Sequence, residues 1–159
     1  MYVKIKTTID RKRVIMADCL FCEIINGNVP SRKVYEDNKV YAFLDISQVT
    51  PGHTLVIPKE HVRNVFEMDS NVAADLFSRV PKITQALRNS NEKINGANIV
   101  INNEEIAYQT VFHSHVHIIP RYTEEDDFSV TFSNNSEKYS DEELDRLQEQ
   151  IVSQIEKGA

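Results

Sequence analysis

The sequence predicts an α+β domain in which hairpin-linked strands surround one long central helix. Three observations carry that prediction. Short runs rich in β-branched and aromatic residues are bounded by turn residues, one long helical period occupies the middle of the chain, and a capping signal opens a further helix near the end. Strands do not alternate regularly with helices, which disfavours a doubly wound parallel fold. At 159 residues the chain can bury one sizeable core.

The elements follow in order. Residues 1–17 stand apart, with Lys4, Lys6, Arg11, Lys12 and Arg13 and no apolar stretch or small-residue cleavage site, so they fail as a secretory signal. They are read as an N-terminal extension, either a basic arm or residues ahead of a natural start at Met16, the second being preferred. Cys19 to Ile25 reads as a short helix closed by Asn26 and Gly27. Lys33–Glu36 and Lys39–Leu44 read as two strands joined at Asp37 and Asn38, whose side chains bond their own main chain in tight turns. Pro51 and Gly52 turn the chain into the run His53–Pro58, which the proline ends. His61–Glu67 has room for one or two helical turns. Asp69 or Ser70 caps a helix in which Val72, Leu76, Val80, Ile83 and Leu87 share a face, and Pro81 is expected to kink or break it. Ala97–Ile101 and Val111–Ile119 are further strands, the second ended by Pro120. Ser140 and Glu143 form a capping box opening a helix with Leu144, Leu147, Ile151 and Ile155 on one face.

Charge and hydropathy exclude several roles. A net charge of -6 argues against a general nucleic-acid binder, which needs an excess of Lys and Arg. A single phosphate-bearing ligand remains compatible with an acidic chain. No apolar run approaches the ~18 residues of a membrane span. The expectation is a cytoplasmic protein, where Cys19 and Cys22 would stay reduced and serve metal binding or redox work.

All five histidines fall in two stretches, His53 and His61, then His113, His115 and His117. On a regular strand the last three share one face, and the backbones of the outer two stand about 13 Å apart. One zinc with ~2 Å bonds to nitrogen cannot easily take both, so the three must divide their labour. A purely structural role is disfavoured, because buried imidazoles are costly without partners. Two thiolates and two imidazoles complete a closed tetrahedral zinc site. Cys19 and Cys22 supply one pair; His113 with either His53 or His61 supplies the other, His61 being preferred because it leaves His53 for the site chemistry. A redox reading of the C-x-x-C would want a strand before Cys19, and none is signalled.

His113 to Ile119 matches the H-φ-H-φ-H-φ-φ pattern of the histidine triad (HIT) family, with Ser114 polar where an apolar residue is usual. The segments Cys19–Ile25, Val34–Asp37, Ala42–Ile46, Gly52–Lys59 and Gln109–His113 resemble that family too, in its order, over residues 18–127. The resemblance is strongest to its bacterial, zinc-containing Hint-like branch. It implies a five-stranded antiparallel sheet with one long helix, a homodimer whose sheets join, and a C-terminal segment and helix in residues 128–159. It further implies hydrolysis or transfer at the α-phosphorus of purine nucleoside phosphoramidates or dinucleoside polyphosphates, through a covalent nucleotidyl-histidine. His115 inherits the role of nucleophile. His117 and His53 match phosphate-side histidines, Gln109 and Thr110 a polar pair at the phosphate or leaving group, Asn102 a phosphate-side Asn, and Asp45 and Ile46 the ribose-binding pair. Cys19, Cys22, His61 and His113 match the metal ligands, for a structural Zn²⁺.

This chain departs from that pattern at Glu104 and Tyr108, where relatives usually carry Gly. Glycine there allows positive φ or close approach of amides to phosphate. Glu104 is expected either to bring negative charge to the phosphate loop or to point to solvent. Two other functions remain open on sequence alone: a nucleotide-binding sensor or scaffold with little turnover, and a zinc hydrolase or lyase whose catalytic metal is held by His53, His115 and His117.

Overall fold

The computed structural model describes residues 19–158; the N-terminal extension lies outside the described residues. One unit of the chain ends at Phe128 and a second begins at Ser129. In the first, α1 (Leu20–Ile25), β1 (Lys33–Glu36), β2 (Val40–Leu44), β3 (Thr54–Pro58), α2 (Ser70–Ser90), β4 (Gly96–Ile101) and β5 (Val116–Arg121) follow in order. The five strands form one antiparallel sheet in the order β1-β2-β3-β5-β4. No described helix is long and apolar enough to cross a membrane.

The runs of β2 and β3 are buried along nearly their whole length because the middle of the sheet is covered on both faces. Alternate residues Val40, Ala42, Val56, Val116 and Ile118 pack with Leu76, Val80 and Ile83 of α2. Their neighbours Tyr41, Phe43, Leu55 and Ile57 pack with Cys19, Phe21, Cys22 and Ile24 around α1. Leu55 pairs with His117 across β3 and β5, and directly opposed residues share a face. The histidine chemistry therefore lies on the α1 side.

Local signals explain the boundaries. Asp37 Oδ1 accepts from the amides of Lys39 and Val40 at 2.8 Å each, closing the β1–β2 turn. Gly52 turns at φ +89°, a conformation that costs glycine little. Asp69 caps α2 by accepting from the amides of Asn71 and Val72. The helix continues through Pro81 to Ser90, contrary to the expected break. Pro81 lies on the exposed side, and the Phe77 carbonyl it leaves without a donor lies there too, where water can satisfy it.

Two further expectations change. His61–Glu67 contains only a 3-10 turn, Val65–Glu67. The last strand is Val116–Arg121, not Val111–Ile119, so His113 and His115 precede it on irregular chain. Pro120 sits inside the strand because its carbonyl, which accepts from Thr50 Oγ1 at 2.7 Å, faces away from β4. The N–H it lacks lies on that same side, so no ladder bond is lost.

In the second unit, α3 (Asp141–Lys157) opens on the expected capping box of Ser140 and Glu143.

Candidate functional site

The metal-ligating candidates assemble first. Cys19 sits at the start of α1 and Cys22 one turn on, His61 follows β3, and His113 ends the loop before β5. Their ligand atoms lie within 4.8 Å of one another. Cys19 Sγ is 3.5 Å and Cys22 Sγ 3.6 Å from His113 Nδ1, and Cys22 Sγ is 3.3 Å from His61 Nδ1. With bonds of about 2.3 Å to sulfur and 2.0–2.1 Å to nitrogen, a tetrahedral zinc site needs S···N spacings of about 3.5 Å. The cluster fits that geometry.

Its chemistry fits as well. His113 Nε2–H donates to the Pro58 carbonyl at 2.8 Å, leaving the Nδ1 lone pair for the cluster. Burial lowers the His113 pKa to about 4, so the ring is neutral at pH 7. Burial, with Cys19 beside it, pushes the Cys22 thiol up to about 12. A thiolate there needs a cation next to it.

The remaining histidines continue from this cluster as one chain of contacts. His113 O accepts from His115 Nδ1 at 2.7 Å. A carbonyl can only accept, so His115 carries its proton on Nδ1 and keeps Nε2 bare. Burial holds the His115 pKa below the usual histidine value, so this basic nitrogen is free at neutral pH. Phe21 packs edge-on against both His113 and His115, with ring centres 5.9 and 5.2 Å away. His117 comes next, its ring centre 4.9 Å from that of His115.

His53 Nε2 and His117 Nδ1 are 2.9 Å apart and share one proton. The buried His53 Nδ1 has no partner among the described residues, which favours one tautomer. An orphaned N–H is rarer and costlier than an unused lone pair. His53 therefore donates from Nε2, and His117 keeps its own proton on Nε2 as a free donor. Burial, then the neighbouring His115 and His53, lowers the His117 pKa to about 4. Burial likewise lowers that of His53. The result is a bare nitrogen on His115 beside an N–H on His117, an arrangement chemically able to pair nucleophilic attack with hydrogen-bond donation to developing negative charge.

Asp45 Oδ2 lies 3.8 Å from His53 Nε2. Burial works against its carboxylate, but the amide and hydroxyl of Ser47, with His53 and His117 nearby, outweigh it and hold the pKa low. Asp45, His53 and His117 form a second cluster with metal-ligand chemistry that sequence spacing did not single out. At 2.9 Å, however, the two imidazoles are hydrogen-bonded to each other. Ile46, at 93% exposure, stands open to solvent beside Asp45.

Residues 102–110 lead from β4 towards the triad, starting one residue beyond the Ile101–Val116 pair. Asn102 Nδ2 donates to the Tyr108 carbonyl at 3.4 Å, and Thr110 is exposed. Gln109 is 2% exposed. Its amide donates to the Arg63 and Val111 carbonyls at 2.6 and 3.2 Å and accepts from the Glu104 amide at 2.8 Å. Its carboxamide is thus fully occupied by backbone.

Glu104 and Tyr108 adopt φ of 72° and 67°. With ψ at 161°, Glu104 occupies a region that is essentially glycine-only and costs of order 1–3 kcal/mol for other residues. Its side chain neither faces a phosphate alone nor points to solvent. It accepts from Arg63 Nε and Nη2 at 3.0 and 2.8 Å and from Asn64 Nδ2 at 2.6 Å. The Arg63 and Asn64 hydrogen bonds hold its carboxyl below the usual range.

Ser114, the departure within the triad motif, is 1% exposed and its hydroxyl has no partner among the described residues. An unsatisfied buried donor costs about 1–3 kcal/mol. Ser114→Ala is therefore expected to raise Tm by about 2–12 °C in a thermal melt, at roughly 2–4 °C per kcal/mol. An unchanged or lower Tm would mean that the hydroxyl is satisfied.

Comparison with known proteins agrees with this geometry. The HIT domain model matches residues 26–124. The Protein hit of Bacillus subtilis is 49% identical over 138 residues, which is 87% of this chain and 94% of that protein. An adenosine 5′-monophosphoramidase of Schizosaccharomyces pombe is 40% identical over 137 residues, 86% of this chain and 98% of its own length. Among solved structures, a HIT family member from Bacillus subtilis superposes with a TM-score of 0.82 at 49% identity, covering 86% of this chain and 96% of that one. A zinc-bound histidine triad family protein from Mycobacterium smegmatis gives a TM-score of 0.67 at 32% identity, covering 91% and 99%. A five-stranded antiparallel sheet, the ordered histidines and these relatives lead to one family: the chain belongs to the HIT family.

Proposed function

We propose that the chain is a nucleotide hydrolase acting at the α-phosphorus of purine nucleoside phosphoramidates or dinucleoside polyphosphates. The observation that carries this is the pair of complementary imidazoles, His115 with its Nδ1–H bonded to the His113 carbonyl and its Nε2 bare, and His117 with a free N–H. Its similarity to an adenosine 5′-monophosphoramidase supports the substrate class.

The His115 Nε2 lone pair attacks phosphorus, a P–N bond forms, and the bond from phosphorus to the leaving group breaks as that group departs with a proton taken up from solvent. His117 donates to a non-bridging oxygen while charge accumulates there. Water then attacks phosphorus and gives up a proton to solvent, the P–Nε2 bond breaks to return the neutral imidazole, and a nucleoside monophosphate leaves. Two easier displacements replace one hard one. Asp45 accepts from the ribose hydroxyls beside Ile46. Asn102 and Thr110 serve the phosphate from the loop, and Gln109 supports it from behind by holding the loop backbone.

Cys19, Cys22, His61 and His113 hold a structural Zn²⁺, a role supported by the S···N spacings and the zinc-bound relative. When bound, the ion neutralises the two thiolates and ties α1 to the triad loop. Two reduced thiols suit a cytoplasmic protein. As a homodimer the chain would join sheets along β4, whose uncharged edge with exposed Ile99 contrasts with the Lys33 and Glu36 of β1.

Incubation with adenosine 5′-phosphoramidate and, separately, a diadenosine polyphosphate tests the reading. AMP release from at least one is expected. Tight AMP binding with no release from either would leave a nucleotide sensor in its place.

A further inference from the structure

Arg63 touches the 102–110 loop at two places and the residue before His113 at a third. Its guanidinium grips the Glu104 carboxylate through two bonds of 3.0 and 2.8 Å, at the start of the loop. Its carbonyl accepts from Gln109 Nε2 at 2.6 Å, near the end. The same guanidinium stacks 4.0 Å above the ring of Phe112, the residue just before His113. Between these contacts stands the strained residue, Glu104, whose amide is taken by Gln109 Oε1 and whose carbonyl accepts from the amides of Ala107 and Gln109. A strained backbone persists only where its surroundings over-determine it. A bidentate Arg–carboxylate pair supplies that through direction as well as charge.

We propose that Arg63 is a positioning residue: by gripping Glu104 it holds the 102–110 loop in a backbone conformation that Glu104 would not adopt unaided. Asn102 and Thr110, the loop residues assigned above to the phosphate, thereby keep their places beside the histidines. Arg63 acts through Glu104 and has no contact with the reacting atoms. The inference rests on the proposed hydrolase reading for its activity readout, though not for its structural one.

A consequence separates this role from simple packing. Glycine at 104 adopts positive φ without strain, so the clamp is needed only while Glu104 is present. Arg63→Met keeps an unbranched side chain but removes the guanidinium, and with it both the grip on Glu104 and the stack on Phe112. In that variant kcat/KM for the phosphoramidate should fall about tenfold, and amide hydrogen exchange across residues 102–110 should speed up about tenfold. Glu104→Gln, which keeps the strain and loses the ion pair, should behave like Arg63→Met. In the double variant Arg63→Met/Glu104→Gly, kcat/KM should return to within about threefold of Glu104→Gly alone. The proposal is overturned if the double variant stays as impaired as Arg63→Met, or if Arg63→Met leaves both rate and exchange unchanged. Should Arg63→Met fail to fold, Arg63→Lys keeps the charge, loses the bidentate geometry and carries the same test with a smaller effect. If the wild-type chain shows no turnover, the hydrolase reading fails by itself, and hydrogen exchange alone still decides for or against the clamp.

Discussion

His115→Ala is expected to lower turnover of a phosphoramidate by at least about 10³-fold while leaving AMP binding largely intact, since removing a nucleophile abolishes the pathway rather than slowing one step. The asymmetry follows from the site. His115 makes one hydrogen bond to the His113 carbonyl and edge contacts with Phe21 and His117, whereas Asp45, His53 and His117 are held together by contacts that do not involve the His115 ring. Removing the His115 ring therefore leaves the residues proposed for ribose and phosphate in place. Single-turnover kinetics with parallel AMP titration measures both quantities. A variant retaining a tenth or more of the wild-type rate would rule out His115 as nucleophile.

Removing the proposed metal is the second large effect. A ligand bound at about a thousand times its dissociation constant stabilises the native state by about 4 kcal/mol. In a domain of this size that corresponds to about 8–16 °C in Tm. Chelation of the as-purified protein, or Cys22→Ser, is expected to lower Tm by about that much without unfolding the sheet at room temperature. The sheet survives because its α2 face has its own core, in which Val40, Ala42, Val56, Val116 and Ile118 are buried without help from the cysteines. The α1 face loses its anchor, since Cys19 and Cys22 belong to that core and His113 ties them to the triad loop. Metal analysis checks the premise: about one zinc per chain is expected, and none, or a Tm indifferent to chelation, would remove the structural-zinc assignment.

Much of the fold was legible because local and tertiary signals agree. The Asp37 turn, the Asp69 cap, the α2 stripe and the Ser140 capping box each combine a residue type with the backbone geometry that needs it. Where they failed, the deciding fact was non-local. Pro120 reads as a strand end, yet its carbonyl meets Thr50 seventy residues earlier in the chain. Pro81 reads as a helix break, yet it falls on the solvent side of a helix secured by Leu76, Val80 and Ile83. Val111 to His115 reads as strand, yet the Ser114 amide donates to the Val62 carbonyl at 2.7 Å and His113 is turned into the cysteine cluster.

The site was legible as a set of residues more than as an arrangement. Spacing along the chain could not choose between His53 and His61 as the cysteines' partner. The structure groups His61 with Cys22, and puts His53 against His117. Sequence also flagged Glu104 as a residue standing where glycine is usual, and the positive φ there explains why glycine would be used. Its partner Arg63, forty-one positions away, carries no local signal of that pairing.

The central claim is a covalent bond from His115 to a nucleotide. Rapid quenching of the protein with adenosine 5′-phosphoramidate, followed by peptide mass spectrometry under conditions that preserve phosphoramidate bonds, tests it most directly. The account predicts an added AMP moiety on the peptide containing His115, localised to that residue and absent from His115→Ala. Turnover with no such adduct, or an adduct on another residue, would contradict it.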